Sequence, residues 1–138
     1  QKKIKNIPLT DEEKKIVFID KPIDLLPELA EYFWTSESFN SEGELIQILS
    51  GKDNDLLKSF PKIDISSFIL LPFNSRDGFG KAVKLDANNG EFFTSTELLF
   101  KIHNEQSKYI KANQTFGFKG VSRAGHQKGL PSYSVRKE

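Results

Sequence analysis

The amino-acid sequence predicts an α+β protein, with helices in its first part and antiparallel strands in its second. Residues 1–62 contain short stretches with helical apolar spacing, separated by proline and glycine. Residues 63–93 instead carry β-branched and aromatic runs interrupted by Asx-Gly pairs, which is typical of β-hairpins. We therefore expect a helical N-terminal part over 1–62 and a β-rich part over 63–138, joined in one compact unit, as suits a chain of 138 residues.

Three or four short helices are predicted in the N-terminal part. Thr10 with Glu13, and Ser41 with Glu44, match the capping box, in which two side chains satisfy free N–H groups at the start of a helix. Between them, residues 26–34 place a proline in the first turn of a helix that would bury its aromatic face. A further short helix is predicted in "DLLKSF".

A small antiparallel meander is predicted over residues 63–93. The run "IDISSFILLPF" reads as a strand that ends at Pro72, because proline cannot donate to a sheet ladder. Asp77-Gly78 and Asn89-Gly90 are two-residue hairpin signals that would connect this strand to the next ones.

Beyond the meander, the pattern predicts two helices and two final strands. Thr94 with Glu97 forms another capping box and starts a helix over 94–103. Continuing the apolar stripe of that helix would bring Gln106 into the core, so we expect a turn there and a second helix over 107–115. The last strands are predicted in "FKGVSR" and "SYSVRK", joined by a long, flexible, basic connector, "AGHQKGLP".

Charge is distributed unevenly along the chain. Residues 1–100 hold 12 Lys and Arg against 17 Asp and Glu, whereas residues 101–138 hold 8 against 2. From Gln106 to Lys137 there are seven Lys and Arg and no carboxylate side chain at all. A surface selected only for solubility normally mixes both signs. The asymmetry therefore favours an anionic partner, and nucleic acid above all. The alternative is that the acidic first part of the chain simply packs against the basic second part.

The order of predicted elements in the second half is strand, helix, turn, helix, strand, basic loop, strand. In "FFTSTELLFKIHNEQSKYIKANQTFGFKGVSRAGHQKGLPSYSV" this order resembles a winged helix-turn-helix module. The resemblance implies that the second helix enters the major groove of DNA while the wing hairpin contacts phosphates. Its groove-facing residues would be Lys108, Lys111, Asn113 and Gln114. Its phosphate-binding residues would be Lys119, Arg123, Lys128, Arg136 and Lys137.

DNA is favoured over RNA as the partner, because no strand alternates aromatic and basic residues as an RNA-stacking platform would. Two other functions remain open. One is a protein-interaction role, such as an immunity-type inhibitor, carried by an acidic N-terminal surface. That surface would comprise Glu28, Glu31, Glu37, Glu42, Glu44, Asp53 and Asp55. The other is a metal-independent ribonuclease that uses His103 and His126 with Arg123. The sequence favours a protein that is not an enzyme.

Composition narrows the chemistry further. The sequence has no Cys and two His, which excludes disulfides and thiolate catalysis and predicts neither a metal site nor a cofactor. Its longest apolar run, "FILLPF", is too short to span a bilayer, so no membrane partner is expected. We expect a cytoplasmic protein of undetermined oligomeric state. An extracytoplasmic location is the alternative, because a chain starting at Gln1 without Met fits a processed product or an excised segment.

Overall fold

The computed structural model of the protein describes residues 24–26, 28–49, 51–59, 62–74, 78–127 and 129–137. These residues form three helices and a six-stranded, mostly antiparallel sheet, which confirms the predicted α+β class. The helices are α1 (Glu42–Ile48), α2 (Gly51–Ser59) and α3 (Ser95–Ser107). The strands are β1 (Asp24–Leu26), β2 (Phe33–Thr35), β3 (Ser67–Leu71), β4 (Val83–Asp86), β5 (Thr115–Gln127) and β6 (Leu130–Lys137).

The sheet has the strand order β1-β5-β6-β3-β4, and β2 pairs with the start of β5. All described pairs of strands are antiparallel except β3 and β6, which run parallel with Ile69 opposite Ser132. Strand β6 therefore lies between β5 and β3, although it follows them in the chain. None of the described helices is long and apolar enough to cross a membrane.

A single hydrophobic cluster holds the molecule together. It draws on residues from both halves of the chain, and aromatic rings supply its largest fully buried side chains. These rings meet edge to face, as Phe68 does with Tyr133 at 5.7 Å between ring centroids. Such contacts add roughly 0.5–1.5 kcal/mol each beyond the burial of area. Its large aromatic members are Tyr32, Trp34, Phe68, Phe73, Phe93, Phe118 and Tyr133.

The predicted helix over 26–34 is wrong, because this segment belongs to the sheet. Strand β1 pairs with β5 up to Leu26, and β2 pairs with β5 from Phe33. Between them the chain turns, and the backbone N–H groups of Ala30 and Glu31 donate to the two carboxylate oxygens of Asp53 at 3.0 and 2.7 Å. A contact more than twenty residues away thus overrides the local helical pattern.

Both helix caps within the described residues are confirmed. Ser41 Oγ accepts the N–H of Glu44 at 3.3 Å, and Thr94 Oγ1 accepts the N–H of Glu97 at 3.1 Å. The Glu97 carboxylate does not return to the cap but accepts the N–H of Asn88 at 2.7 Å, which ties the turn after β4 to α3. The pair predicted at Thr10 and Glu13 lies outside the described residues.

The antiparallel pairing of β3 with β4 is confirmed, with Phe68 opposite Leu85, and β3 ends just before Pro72. The third strand of the predicted meander is reduced to one isolated bridge between Ile63 and Phe93. Gly90, with φ of +75°, lies in the tight turn that connects β4 to Phe93, as the Asn-Gly signal indicates. Asp77 of the other hairpin signal falls outside the described residues.

The predicted turn at Gln106 is also wrong, because α3 continues through Ser107. Gln106 is fully buried, as the stripe requires, but its amide is satisfied. Its Nε2 donates to the carbonyl of Phe73 at 2.8 Å, and its Oε1 accepts the N–H of Phe73 at 2.9 Å. Residues 108–114, where a second helix was predicted, form turns that lead into β5. A buried polar side chain is tolerated wherever both of its hydrogen-bonding ends have partners.

Candidate nucleic-acid interface

The β5–β6 hairpin, residues 115–137, carries most of the cations that the sequence singles out. Gln127 pairs directly with Leu130, so the predicted long connector is mostly strand. The positive φ of Gly129, +79°, suits the tight reversal between the strands. Among the described strands, only β6 pairs with β5 beyond Ser122. Residues 124–127 of β5 therefore pair with no described strand except β6.

Two irregularities bend β5 along its length. The pairing register with β6 shifts between Phe118 and Val121, and again between Arg123 and His126. Gly120 and Gly125 lie in these shifts with φ of +94° and +90°. Left-handed glycines of this kind form β-bulges, which increase strand twist and redirect the neighbouring side chains. The cationic part of β5 is thus a bent ribbon rather than a flat strand.

Arg123 is held in a defined position between the two bulges. Its guanidinium lies 5.8 Å from the ring centroid of Tyr133, the residue opposite it on β6. The Nε–H group donates to the carbonyl of Gly125 at 3.1 Å, and Nη2 donates to His126 Nε2 at 2.8 Å. A planar, pre-oriented guanidinium suits phosphate recognition, because less side-chain entropy is lost on binding.

Lys119 and Arg136 lie near the base of the hairpin, and both are exposed. The pairing of Phe118 with Lys137 brings them close to each other across β5 and β6. Lys119 Nζ forms an ion pair with Glu28 at 2.8 Å, between side chains that are 42% and 57% exposed. Because an exposed pair of this kind contributes roughly 0–1 kcal/mol, a phosphate can displace it at small cost. The side chains of Lys128 and Lys137 lie outside the described part of the molecule.

The four groove-facing residues predicted on a second helix do not form one face. Lys108 pairs with Glu105 at 2.9 Å, and Lys111 is exposed in the following turn. Asn113 has φ of +72°, a left-handed conformation that asparagine tolerates better than most residues. Gln114 Oε1 is buried and has no hydrogen-bond partner within the described region, so it is not presented to a base. Residues 108–114 form turns, so the predicted recognition helix is not present in this described part of the chain.

His103 belongs to the core. Its side chain is 1% exposed and stacks against Trp34, with 5.7 Å between ring centroids. Its Nδ1 accepts from the hydroxyl of Tyr32, whose pKa is raised by burial, and its Nε2–H donates to the carbonyl of Glu37 at 2.8 Å. His126 is exposed on the hairpin, so the structure does not bring together the two histidines of the ribonuclease hypothesis.

Burial lowers the pKa of His103 to about 4, and it outweighs the hydrogen bond to the Glu37 carbonyl, which raises the pKa. The folded state therefore binds fewer protons than the unfolded state between about pH 4 and 6.5, and stability falls as pH decreases through this window. We expect His103 to account for about 2 kcal/mol of lost unfolding free energy between pH 7 and pH 5. Urea unfolding of wild type and His103→Phe at both pH values measures this, and an equal loss in the two proteins would contradict it.

The acidic surface considered for a protein partner is partly used inside the fold. Asp53 is 3% exposed, and both its oxygens are committed to the backbone of the turn before β2. Glu44 accepts the N–H and side-chain amide of Asn40, and Glu28 pairs with Lys119. These carboxylates stabilise the fold, and they do not form one open patch.

A polar groove of about 540 Å³ between β4 and α3 was not anticipated from the sequence. Lys101 lines it, donates to Asn88 Oδ1 at 2.9 Å and pairs with Glu97 at 3.0 Å. Since the polar side chains of Lys101, Asn88 and Glu97 already bond to one another, we assign no function to the groove. Within the described ranges, no three His, Asp or Glu side chains converge as a metal site would require.

Comparison of the chain with protein-family models, curated protein sequences and solved structures finds no match.

Proposed function

We propose that this protein binds nucleic acid, with DNA favoured, through the β5–β6 hairpin. The observation that carries the proposal is the absence of Asp and Glu from residue 106 to 137, a stretch that includes the whole hairpin. The major groove of B-DNA admits a two-stranded β-ribbon as well as an α-helix, so the hairpin could contact the duplex without a recognition helix. The phosphate-binding residues are those predicted for the wing: Lys119, Arg123, Lys128, Arg136 and Lys137.

Within this proposal Arg123 and Arg136 have the leading roles. Arg123 is oriented by Tyr133 and Gly125, so its positive charge is held in one position where a phosphate could pair with it. Arg136 is exposed, while its backbone carbonyl accepts the indole N–H of Trp34 at 3.1 Å, which anchors this end of β6 to the core. The side chain of Arg123 and the backbone of Arg136 are therefore each held by a contact to a neighbouring residue, which lowers the entropy cost of binding.

A salt titration of wild-type protein against a labelled DNA duplex tests the proposal. Each neutralised phosphate contributes about 0.9 to the slope of log affinity against log salt, so five contacts predict a slope of about −4 to −5. Affinity should then fall by several hundredfold between about 50 and about 200 mM salt. Fluorescence anisotropy measures the dissociation constant at each salt concentration. No binding at low salt, or binding that does not change with salt, would contradict the proposal.

A further inference from the structure

Phe79 is the most exposed large hydrophobic side chain within the described residues, at 67%. Its backbone is nevertheless held in place. It forms an antiparallel bridge with Phe73, and the N–H of Gly80 donates to the carbonyl of Pro72 at 2.7 Å. Phe73 is in turn fixed by the buried amide of Gln106. The fold therefore presents an aromatic ring to solvent on a well-anchored segment.

The turn after α3 packs directly against this segment. A Cβ atom placed on Gly80 would lie 2.7 Å from the ring of Tyr109, so only glycine permits the close approach of the two segments. The hydroxyl of Tyr109 accepts the backbone N–H of Lys81 at 3.0 Å. Residues 78–81 and 108–111 thus form one surface, which we call the Phe79 surface.

The Phe79 surface is cationic as well as aromatic. Lys81, Lys108 and Lys111 are exposed on it. Lys108 pairs with Glu105 of α3, whereas Lys81 and Lys111 form no ion pair with any carboxylate that the structure describes. An exposed ring flanked by cations matches the chemistry of an unpaired nucleotide, which offers a flat base for stacking and a phosphate for charge pairing.

We infer that the Phe79 surface binds unpaired nucleotides, with a base stacked on Phe79 and adjacent phosphates held by Lys81 and Lys111. This inference rests on the proposed function and deepens it, because it adds single-stranded nucleic acid to the partners of the protein. The ring of Phe116 in β5 lies 5.2 Å from that of Phe73, so the surface is at the base of the hairpin. Arg123 lies seven residues further along β5 than Phe116. The stacking position is therefore separate from the contacts of Arg123, whereas Lys119 and Arg136 lie nearer to the Phe79 surface.

The test compares Phe79→Ala with Phe33→Ala, a matched control, since Phe33 is another exposed phenylalanine, at 49%. Each variant is titrated against a short labelled oligo(dT) strand and against a duplex. Loss of one stacked base should weaken oligo(dT) binding by Phe79→Ala about tenfold or more, while duplex binding changes less than about twofold. Phe33→Ala should bind both as wild type does. Phe79→Trp should retain oligo(dT) binding, with tryptophan fluorescence quenched on titration.

The outcomes separate this inference from the proposed function. If Phe79→Ala binds oligo(dT) as tightly as wild type, or loses no more affinity than Phe33→Ala, the stacking inference is wrong even where duplex binding by the hairpin persists. If wild type binds neither nucleic acid at low salt, both are wrong. If wild type binds oligo(dT) through Phe79 but does not bind duplex, the proposal that the hairpin binds DNA is wrong, and only the inference about the Phe79 surface is supported.

Discussion

Arg123→Glu combined with Arg136→Glu is expected to weaken duplex binding by at least about 100-fold at low salt. Each substitution replaces an attraction to phosphate by a repulsion, and the two sites lie on the same ribbon. The salt slope should also become shallower by about 2, because two fewer counterions are released on binding. The salt titration used for wild type measures both quantities.

A control with the same change in net charge distinguishes a local site from a general effect. Lys52 and Lys58 are exposed on α2 and not on the hairpin, so Lys52→Glu with Lys58→Glu changes the charge equally. We expect this control to bind duplex within a few-fold of wild type, since surface charges beyond a Debye length of about 10 Å are largely screened. Equal losses in both double variants would show that net charge alone controls binding.

Gln106→Leu is expected to lower the free energy of unfolding by about 3 kcal/mol. The substitution preserves most of the volume but removes the two hydrogen bonds that the Gln106 amide makes to the N–H and the carbonyl of Phe73, each of which contributes roughly 1–3 kcal/mol at a buried group. Chemical denaturation at neutral pH measures the change, and thermal unfolding should show a decrease of roughly 10 °C in the midpoint.

The control for this variant is the neighbouring position on α3. Glu105 is partly exposed and pairs only with Lys108, so Glu105→Ala should change stability by less than about 0.5 kcal/mol. If Gln106→Leu is as stable as wild type, the amide is not what fixes Phe73 to α3. The anchoring of the Phe79 surface would then need another explanation.

Local signals in the sequence predicted local structure well. Ser41 and Thr94 cap helices in the fold, because a cap depends on residues within one turn. Strand β3 ends before Pro72 for a similarly local reason. Residues 26–34 have a helical pattern but become strands and a turn, because Asp53 and β5 supply better partners for their backbone. A prediction based only on residues 26–34 cannot include these partners, because they are distant in the sequence.

Gln106 shows the same limit at a single side chain. A glutamine on the apolar stripe of a helix suggests that the helix ends there. The sequence does not show that Phe73 lies beside Gln106 and bonds to its side-chain amide through both backbone groups. The cations of the hairpin could be predicted from the distribution of charged residues along the sequence, because a charge count needs no three-dimensional information. The roles assigned to Asn113 and Gln114 depended on a helix that does not form. The surface formed by Phe79 and Tyr109 could not be predicted from local sequence, because the two residues are thirty positions apart and the approach of Tyr109 to Gly80 brings their segments together.

The position of β6 has a consequence for how the chain acquires its structure. This strand lies between β5 and β3, yet it follows every other described element in the sequence. During synthesis the ribosome releases β3 long before its parallel neighbour exists, so the nascent sheet remains in two pieces until residues 130–137 emerge. Late pairing between distant segments slows folding and leaves strand edges open in the meantime. Chaperone dependence during translation should therefore persist until residues 130–137 have emerged and paired with β3 and β5.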